Sequence, residues 1–537
     1  MADEFRPEER AALAPYFTNL DGPVFALVNL PEVVKGALFA RYSRSPKSLR
    51  RLFLDEFMND GGGEASPPSP PRLARAPTAV PNTTRAEQLY ERVFVEYGDD
   101  SVAQLGGVHL ACEGASNILT KILEWGRLMA YLEQSTRYIP YDDRPDGRYR
   151  YHVPAELSGP LRERYVATLD QAFDTYREWL PRMRAFYEAR FPRAPEESET
   201  VYRMTIRAKA LDTLRGLLPA ATISNVGMYG TGQAYEQLLL RMRAHPLAES
   251  RAHADLMLVE LRKVIPAFLK RVDVPERGVA WSRYLAETRA AIEREAVRVV
   301  PAMEPPLRDE VTLTDFDPEG ETKVVAAALY AVSAQPDDRL LALARRMTPD
   351  ERARVLAAYV GRRENRRHKP GRAFERTSYR FDVLADYGAF RDLQRHRLLT
   401  LEWQRLTPHE GWVMPDEIQE ADAHGPWLRV MERSAALSDA LAAEGLREVA
   451  SYAVAMAFRV RFYMEMNARE AMHLVELRST PQGHPAYRRI AQSMHRLIAE
   501  VAGHRAIAAA MTFADHSDVA LERLEAERAA ERRRTRP

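Results

Sequence analysis

One order of motifs occurs twice along this chain of 537 residues. Each copy has an amphipathic helix that runs into a junction bearing arginine, then a polar stretch, then a later helix carrying the pair Leu-Arg. In the first half these features are Arg127, residues 133–138 and Leu240-Arg241; in the second half they are Arg395-His396-Arg397 and Leu477-Arg478. A motif order that repeats once indicates an ancient duplication. We therefore expect two related domains.

The composition is that of a globular protein. Hydrophobic residues make up 46% and charged residues 28% of the chain, and 537 residues exceed what one ordinary core can organise. The formal net charge of +1 gives no overall attraction to nucleic acid or anionic lipid. The one cysteine, Cys112, is predicted to be a small, buried hydrophobic residue. Neither a signal sequence nor a membrane span is evident. We expect a cytoplasmic protein.

Hydrophobic periodicity predicts a mostly helical chain with short strands. Helices are predicted at residues 115–123, 160–190, 251–270, 339–360, 466–478 and 486–500, and strands at 24–30 and 311–316. Residues 59–81 are rich in Gly, Pro and Ser and predict a flexible loop, while 511–537 predicts a charged terminal helix. Gly230-Thr231-Gly232 is too short for a dinucleotide-binding motif and predicts a turn.

Three polar patterns are candidates for a binding site. If residues 133–138 are extended, Glu133, Ser135 and Arg137 point the same way and can contact one nucleotide, although a polar strand edge explains the spacing as well. Arg395, His396 and Arg397 close a helix that begins near Asp386, either as partners of its dipole or as an anion or cofactor clamp. No metal-binding motif occurs, so we expect no metal site.

The third pattern joins Asn467 and Arg478. On one helix they share a face at about 16 Å, which suits a long ligand. A helix cap at Asn467 and a surface arginine at 478 explain the same spacing.

Two stretches resemble flavin-dependent thymidylate synthases. Residues 98–139 are similar to that family's pattern GHGSVLEH, helix, RHRxxSxxExSxRY, and RGLLP at Arg215 is similar to its RxxLP. The second half has RHRLLT at 395–400, and MNAREAMHLVELR at 466–478 is similar to the family helix NxRxLxxFxxLR. The resemblance implies an α+β fold of two tandem domains, each helix-rich with a small, mostly antiparallel sheet. The domains would span 1–275 and 309–510, with a connector at 276–308.

Each half keeps what the other has lost. The first half has Trp125-Gly126-Arg127 in place of Arg-His-Arg, and the second has Trp403-Gln404-Arg405-Leu406-Thr407-Pro408 where ExSxRY is expected. Family members are homotetramers with sites between subunits. The resemblance therefore implies one composite site from the two halves, and a homodimer that forms a pseudo-tetramer.

The activity implied by the resemblance is FAD-dependent C5 methylation of dUMP, a pyrimidine nucleotide, to dTMP. Methylenetetrahydrofolate would supply the carbon and NADPH the electrons. Arg478 would be the catalytic residue, polarising the pyrimidine. By this resemblance the nucleotide contacts would be Glu133, Ser135, Arg137, Arg215, Arg395 and Arg478, and the FAD contacts His396, Arg397, Asn467, Arg469 and His473.

Two departures leave alternatives open. Gln104-Leu105 stands where the family has Glu-His, which removes a flavin contact and favours a homologue that binds nucleotide or flavin without turnover. Asp392 stands where the family commonly has Gln near the pyrimidine. Because a carboxylate only accepts hydrogen bonds, Asp392 favours a base with an amino group, such as a cytosine nucleotide or a base in nucleic acid.

Overall fold

A computed structural model describes residues 5–58, 104, 106–195, 198–301 and 308–517. The chain divides into two compact units that each draw on separate segments. Unit 1 comprises Met1–Ser135, Tyr151–Leu157 and Thr222–Ala302; unit 2 comprises Thr136–Arg150, Ser158–Ala221 and Met303–Pro537. Unit 2 therefore includes two segments from the first half of the sequence. The domain boundaries at 275 and 309 stay a prediction.

Helices and short strands are interspersed along the described residues of the first half. In chain order the elements are α1 (Pro7–Leu13), β1 (Val24–Leu27), α2 (Glu32–Tyr42), α3 (Leu49–Phe53), β2 (Gly107–Ser116), α4 (Asn117–Leu123), β3 (Met129–Glu133), α5 (Gly159–Arg190), α6 (Glu199–Leu214), β4 (Ile223–Thr231), α7 (Gly232–Arg243), α8 (Ala248–Arg262) and α9 (Ala280–Val299). Short 3-10 turns include Arg215–Leu217 and Pro266–Asp273.

Helices and strands are also interspersed along the second half. Its elements are β5 (Val311–Phe316), α10 (Gly320–Tyr330), α11 (Asp337–Arg346), α12 (Pro349–Val360), β6 (Ser378–Asp386), α13 (Tyr387–Leu393), β7 (Thr400–Trp403), α14 (Asp416–Glu420), α15 (His424–Ala443), α16 (Arg447–Ala450), β8 (Arg459–Asn467), α17 (Ala468–Arg478), α18 (Pro485–Glu500) and α19 (Arg505–Ala509). The 3-10 turns here include Arg372–Arg376 and Ser451–Ala453.

Each unit contains a four-stranded antiparallel sheet with the same topology. The strand order is β1-β2-β4-β3 in unit 1 and β5-β6-β8-β7 in unit 2. Buried and partly exposed residues alternate along β8, so one face of that sheet packs on the core. In unit 1 all four residues of β1 are buried, and Phe25 packs edge-on against Phe17. The α+β fold class with small antiparallel sheets is thus confirmed.

Corresponding strands lead into corresponding capped helices. Ser116 at the end of β2 caps α4, and Asp386 at the end of β6 caps α13. Thr231 and Asn467, which end β4 and β8, cap α7 and α17 in the same way. In each case a side-chain oxygen accepts a backbone N–H of the first turn, which stabilises the helix start. These caps give a register in which residues of the two halves can be compared.

Equivalent segments of the two halves pair with each other inside unit 2. Arg215 and Ser451 each open a 3-10 turn before an antiparallel bridge that joins Pro219 to Ala455. The N–H of Ala220 donates to the oxygen of Val454 at 2.8 Å, and the N–H of Met456 donates to that of Leu218 at 2.9 Å. Such reciprocal pairing is the pattern of a two-fold interface, here made within one chain.

Most predicted elements are confirmed, with corrections at their ends. The helix at 160–190 is α5, 486–500 is α18, and 311–316 is strand β5. The helix predicted at 115–123 begins at Asn117 because residues 115–116 end β2, that at 466–478 begins at Ala468, and the strand predicted at 24–30 ends at Leu27. The predicted loop 59–81 and residues 518–537 of the tail lie outside the described residues.

Three predictions were wrong. The helix at 251–270 ends at Arg262, because Pro266 has no N–H to continue it. The helix at 339–360 is two helices, since Thr348 and Glu351 form a capping box that starts α12. Gly230-Thr231-Gly232 is not a turn but the junction of β4 and α7, where Thr231 is the cap.

No described helix combines the length and apolar character needed to cross a membrane. Cys112 is fully buried in β2, as predicted. Burial raises the pKa of its thiol well above the ordinary value.

Candidate active site

Arg137 and Tyr487 form the first contact of a polar cluster in unit 2. Arg137 lies in a turn after β3, and its Nη1 donates to the Tyr487 hydroxyl at 3.3 Å although the two residues are 350 positions apart. Its Nε and Nη2 donate to the Asp212 carboxylate at 2.8 and 2.5 Å. Burial works to lower the pKa of Arg137, but the charge and hydrogen bonds of Asp212 together with the Tyr487 hydroxyl raise that pKa above its ordinary value. Arg137 is thus a fixed cation.

Arg215 is a second buried arginine of this cluster. It ends α6, and its Nη1 donates to Asp392 Oδ2 at 3.3 Å, while its Nη2 lies 3.8 Å from Asp386 Oδ1. The other Asp392 oxygen accepts a hydrogen bond from Arg395. One carboxylate therefore links an arginine of the first half to an arginine of the second. Asp392 acts as their shared counter-ion.

The buried Nη2 of Arg215 has no hydrogen-bond partner among the described residues. Arg215 is only 4% exposed, so this donor is also shielded from most solvent. A buried guanidinium donor without a hydrogen-bond partner is costly, which makes this Nη2 a candidate donor to a bound ligand or water. Arg215 lies against Gly388, where a Cβ would be 2.8 Å from its Nε. A side chain at 388 would displace the guanidinium.

Arg478 and His396 form the next contact. Arg478 Nε donates to His396 Nε2 at 2.9 Å, and His396 Nδ1 lies 3.1 Å from Glu470 Oε1. Because a guanidinium only donates, His396 Nε2 must accept, and its proton therefore sits on Nδ1 and is shared with Glu470. Burial, then the charge of Arg478, lowers the pKa of His396 to about 4. His396 is neutral at physiological pH.

Arg478 stays ionised although its surroundings lower its pKa. Desolvation, then the charge of Arg395, lowers the pKa of Arg478 to about 10, so the guanidinium stays protonated at neutral pH. Burial raises the pKa of Glu470, but hydrogen bonds from His396 and His473 bring it down to about 2. The guanidinium carbon of Arg478 also lies 5.5 Å from the ring centre of Tyr487. Tyr487 therefore contacts both Arg137 and Arg478.

His396, Glu470 and His473 offer ligand atoms within 4.8 Å of one another, a spacing that suits a metal ion. Both ring nitrogens of His396 are already engaged, one by Glu470 and one by Arg478. The positive charge of Arg478 next to this group opposes a cation. Hydrogen bonding alone accounts for the cluster.

The remaining second-half candidates are Asn467 and Arg469 at the start of α17 and Arg397 after α13. Asn467 caps the helix through its side-chain oxygen, which agrees with the helix-cap interpretation of its spacing from Arg478. Arg469 Nε donates to the Pro370 oxygen at 2.9 Å, and its Nη1 lies 3.5 Å from Glu375. Arg397 is exposed just beyond α13. Asn467 and Arg469 therefore have structural contacts of their own.

Glu133 and Ser135 belong to unit 1 and have contacts there. Glu133 Oε2 lies 3.1 Å from Lys121 Nζ, which also binds Glu124 at 2.6 Å, and all three side chains are at most 1% exposed. The N–H of Ser135 donates to the Ser43 oxygen. Residues 136–138 form a turn, so the extended conformation assumed for 133–138 is wrong from Thr136 onward. Gln104 is exposed and bonds Gln233, while Leu105 lies outside the described residues.

Sequence reasoning missed several partners of the arginines. Asp212 and Tyr487 lie outside the quoted motifs, and both contact Arg137 from segments far away in sequence. Glu470 lies inside the motif at 466–478, but its contact with His396 depends on a segment 74 residues away. The predicted equivalence of Leu240-Arg241 with Leu477-Arg478 is also shifted by one residue. Arg478 is the eleventh residue after its cap Asn467, whereas the eleventh after Thr231 is Met242, so Arg241 corresponds to Leu477.

A family model described as thymidylate synthase complementing protein, Thy1, matches residues 65–267 and again residues 312–503. The chain belongs to this family. The two matches along one Thy1 chain are consistent with the tandem duplication inferred from the motif order. The first match contains β2, β3 and β4 but not β1, and the second contains all four strands of its sheet except Val311.

Relatives of this Thy1 chain include full-length and partial matches. A UPF0159 protein of Chlamydia muridarum (strain MoPn / Nigg) is 38% identical over 98% of both chains. A flavin-dependent thymidylate synthase of Mycobacterium sp. (strain JLS) is 29% identical over 34% of this chain and 69% of its own. A crystal structure of the UMP/dUMP methylase PolB from Streptomyces cacaoi, bound with 5-Br dUMP, matches with a TM-score of 0.29 and 21% identity, covering 38% of this chain and 97% of its own.

Proposed function

We propose that this Thy1 protein is a flavin-dependent methyltransferase that converts dUMP to dTMP. The co-substrates are methylenetetrahydrofolate and NADPH, and the cofactor is FAD. The observation that carries the proposal is the meeting of Arg137 and Arg478 at Tyr487, because it joins the nucleotide motif of one half to the Leu-Arg helix of the other. The Thy1 membership supports the same chemistry.

The phosphate end of the nucleotide is bound by arginines. Arg137, Arg215 and Arg395 lie around Asp212 and Asp392, which fix the positions of the three guanidinium groups. The unpartnered Nη2 of Arg215 is suited to a phosphate oxygen, which accepts charge-assisted hydrogen bonds. Arginine also binds phosphate with two parallel donors.

Arg478 stabilises the negative charge that develops on the pyrimidine as C5 becomes nucleophilic. A fixed cation acts in this way like a donor of an oxyanion hole. His396 holds Arg478 by accepting from its Nε, and Glu470 holds His396 in the required tautomer. His396 and Glu470 are thus positioning residues in this proposal.

The residues around α17 are chemically suited to FAD. The imidazole rings of His396 and His473 lie 5.4 Å apart and offer flat, polarisable surfaces, and Arg397 and Arg469 offer cationic donors. The amide of Asn467 keeps its NH2 group for a ligand, since the cap uses only its oxygen. When bound, FAD supplies the hydride, and the protein orients and polarises the nucleotide.

The absorbance spectrum of the purified protein tests the proposal. We expect a flavin band that shifts when dUMP is added, and dTMP formation when methylenetetrahydrofolate and NADPH are both present. A colourless protein that binds no added FAD would point to the non-catalytic homologue.

A competition assay with dCMP tests the other pyrimidine. Asp392 already accepts hydrogen bonds from two arginines, which favours dUMP over a base that presents an amino group. Tighter binding of dCMP would reverse this preference.

Assembly is part of the proposal. We propose a homodimer, in which the fused repeats stand for the four subunits of the family's tetramer. Light scattering of the purified chain measures its mass directly. A monomer that is fully active would contradict the dimer without affecting the chemistry.

A further inference from the structure

A strongly basic loop lies between α12 and the 3-10 turn at Arg372. This basic loop, residues 361–371, reads GRRENRRHKPG and contains four arginines and one lysine against a single acid, Glu364. Gly361 ends α12 with φ +63°, a conformation that glycine adopts without strain. Arg362, Arg366, Arg367 and Lys369 are exposed. On a chain of net charge +1, this is a local concentration of positive charge.

The exposed cations of the basic loop are not neutralised. None of Arg362, Arg366, Arg367 and Lys369 forms an ion pair with a residue in the described ranges. Exposed arginines elsewhere in unit 2 commonly do, as Arg182 does with Glu178 and Arg203 with Glu199. A row of unpaired cations attracts anionic ligands. Arginine in particular binds phosphate oxygens through paired donors.

Internal contacts hold the basic loop in one conformation. Arg363 donates from both Nη atoms to the buried Glu476, at 2.5 and 2.6 Å. Its Nε donates to the His368 oxygen, and the Asn365 side chain accepts from the N–H of Arg367. Because the loop is anchored at its centre, Arg366 and Arg367 are presented with little further cost in conformational entropy.

The basic loop also adjoins the start of α17. The Pro370 oxygen accepts a hydrogen bond from Arg469 Nε at 2.9 Å. Lys369 is close enough to Glu470 and Arg469 for their charges to act on it, although burial is what chiefly lowers the pKa of Lys369. A ligand that contacts Arg469 and His473 can therefore extend onto the loop cations.

We propose that the basic loop binds the diphosphate of a dinucleotide, with Arg366 and Arg367 as its principal contacts. The proposal rests on the proposed function, which places a flavin at His396, Asn467 and His473. FAD and NADPH both carry a diphosphate, and binding measurements distinguish the two sources. The loop was not singled out from the sequence, because it contains none of the binding motifs or helix caps considered there.

The test compares two double variants of the full-length protein. Arg366→Ala/Arg367→Ala removes two unpaired loop cations, and Arg182→Ala/Arg203→Ala removes two exposed, paired cations as the matched control. The affinities of FAD, riboflavin and NADPH are measured by fluorescence. We expect the loop variant to weaken FAD binding roughly 10- to 100-fold, since two charge-assisted hydrogen bonds are lost, and to leave riboflavin binding unchanged. The control variant should bind FAD like the parent.

Each other outcome is decisive. If only NADPH binding weakens, the diphosphate belongs to NADPH. If the parent binds FAD and the loop variant binds FAD and NADPH equally well, the loop inference fails while the proposed function stands. If riboflavin weakens as much as FAD, the loop does not act through the diphosphate. If the parent binds neither dinucleotide, the proposed function fails, and the inference with it.

Discussion

Arg137 donates a hydrogen bond to the hydroxyl oxygen of Tyr487 at 3.3 Å, and the same phenol ring lies beside Arg478. Burial raises the pKa of Tyr487, but the charges of Arg137 and Arg478 outweigh it and leave that pKa below its usual value. The phenol oxygen thus lies in a positive field. Tyr487 sets the spacing between the two arginines that the proposed reaction needs.

Tyr487→Phe removes the hydroxyl and keeps the ring. Arg137 loses one acceptor but keeps Asp212, so we expect a Kd for dUMP roughly 2- to 10-fold higher, the effect of one hydrogen bond. Isothermal titration with dUMP measures the change. Tyr330→Phe, at an exposed tyrosine of the same unit, is the control and should bind normally. An unchanged Kd in both variants would remove Tyr487 from the site.

Arg478→Ala is expected to abolish turnover while the fold survives. Loss of a fixed charge-stabilising donor costs roughly 10²- to 10³-fold in kcat. Steady-state assays measure the loss, and circular dichroism checks the fold. Arg241→Ala is the control from the other repeat, where the side chain lies over Trp125. The assignment is wrong if Arg478→Ala keeps most of the parent activity.

Asp392→Asn tests whether this carboxylate reads the base or holds arginines. We expect the free energy of unfolding to fall by about 3 kcal/mol, because Arg215 is buried and loses its closest counter-ion. The preference for dUMP over dCMP should stay the same in the folded protein. Urea unfolding and competition binding measure the two quantities. A stable variant with an altered base preference would restore the base-reading role.

Glu133→Gln separates a structural role from nucleotide binding. Since the Glu133 carboxylate is buried against Lys121, we expect a loss of about 1–3 kcal/mol in unfolding free energy. The dUMP affinity of the folded protein should not change. The triple variant Lys121→Met/Glu124→Leu/Glu133→Leu should recover part of the stability, because it removes all three charges of this buried cluster together. A fall in dUMP affinity at normal stability would instead place Glu133 at the nucleotide.

Stability is expected to depend on pH through His396. Its folded pKa of about 4 lies below the ordinary 6.5, so the unfolded chain binds the proton first as pH falls. Above pH 6.5 the neutral His396 contributes about 3 kcal/mol to the free energy of unfolding. This contribution is lost as the pH falls from 6.5 to 4. Urea unfolding of the parent and His396→Gln at pH 7.5, 5.5 and 4.5 measures it. The parent should lose more than the variant, and equal losses would contradict the buried neutral imidazole.

The fold was largely predictable because its signals are local. The periodicity of α5 and α18 and the position of β5 are properties of short segments, and they are confirmed. Helix ends were less predictable where capping chemistry intervened, as at Thr348. The duplication was visible because motif order survives when individual letters change.

Of the residues in the candidate site, the sequence motifs predicted the arginines but not the residues that hold them in place. Arg137, Arg215 and Arg478 belong to motifs, but Asp212 and Asp392, the counter-ions of Arg137 and Arg215, come from helices far away in sequence. Asp392 shows the difficulty best, because an aspartate next to a binding motif suggests base recognition and the folded chain uses it to hold two arginines. Arg241 shows another limit, since two identical letter pairs fall at different helical positions once the caps align them.

The reciprocal pairing of Pro219 with Ala455 has a consequence for how such a molecule evolves. Identical chains joined by a two-fold axis must carry every substitution twice. Once both partners are encoded in tandem, dilution no longer separates them, and each position can drift alone. Two pairs of equivalent positions show the result. Arg215 has Ser451 as its counterpart, and Gly388 has Ile118 at the matching helix position. Because the two halves are covalently fused, the two residues of each pair can be substituted independently.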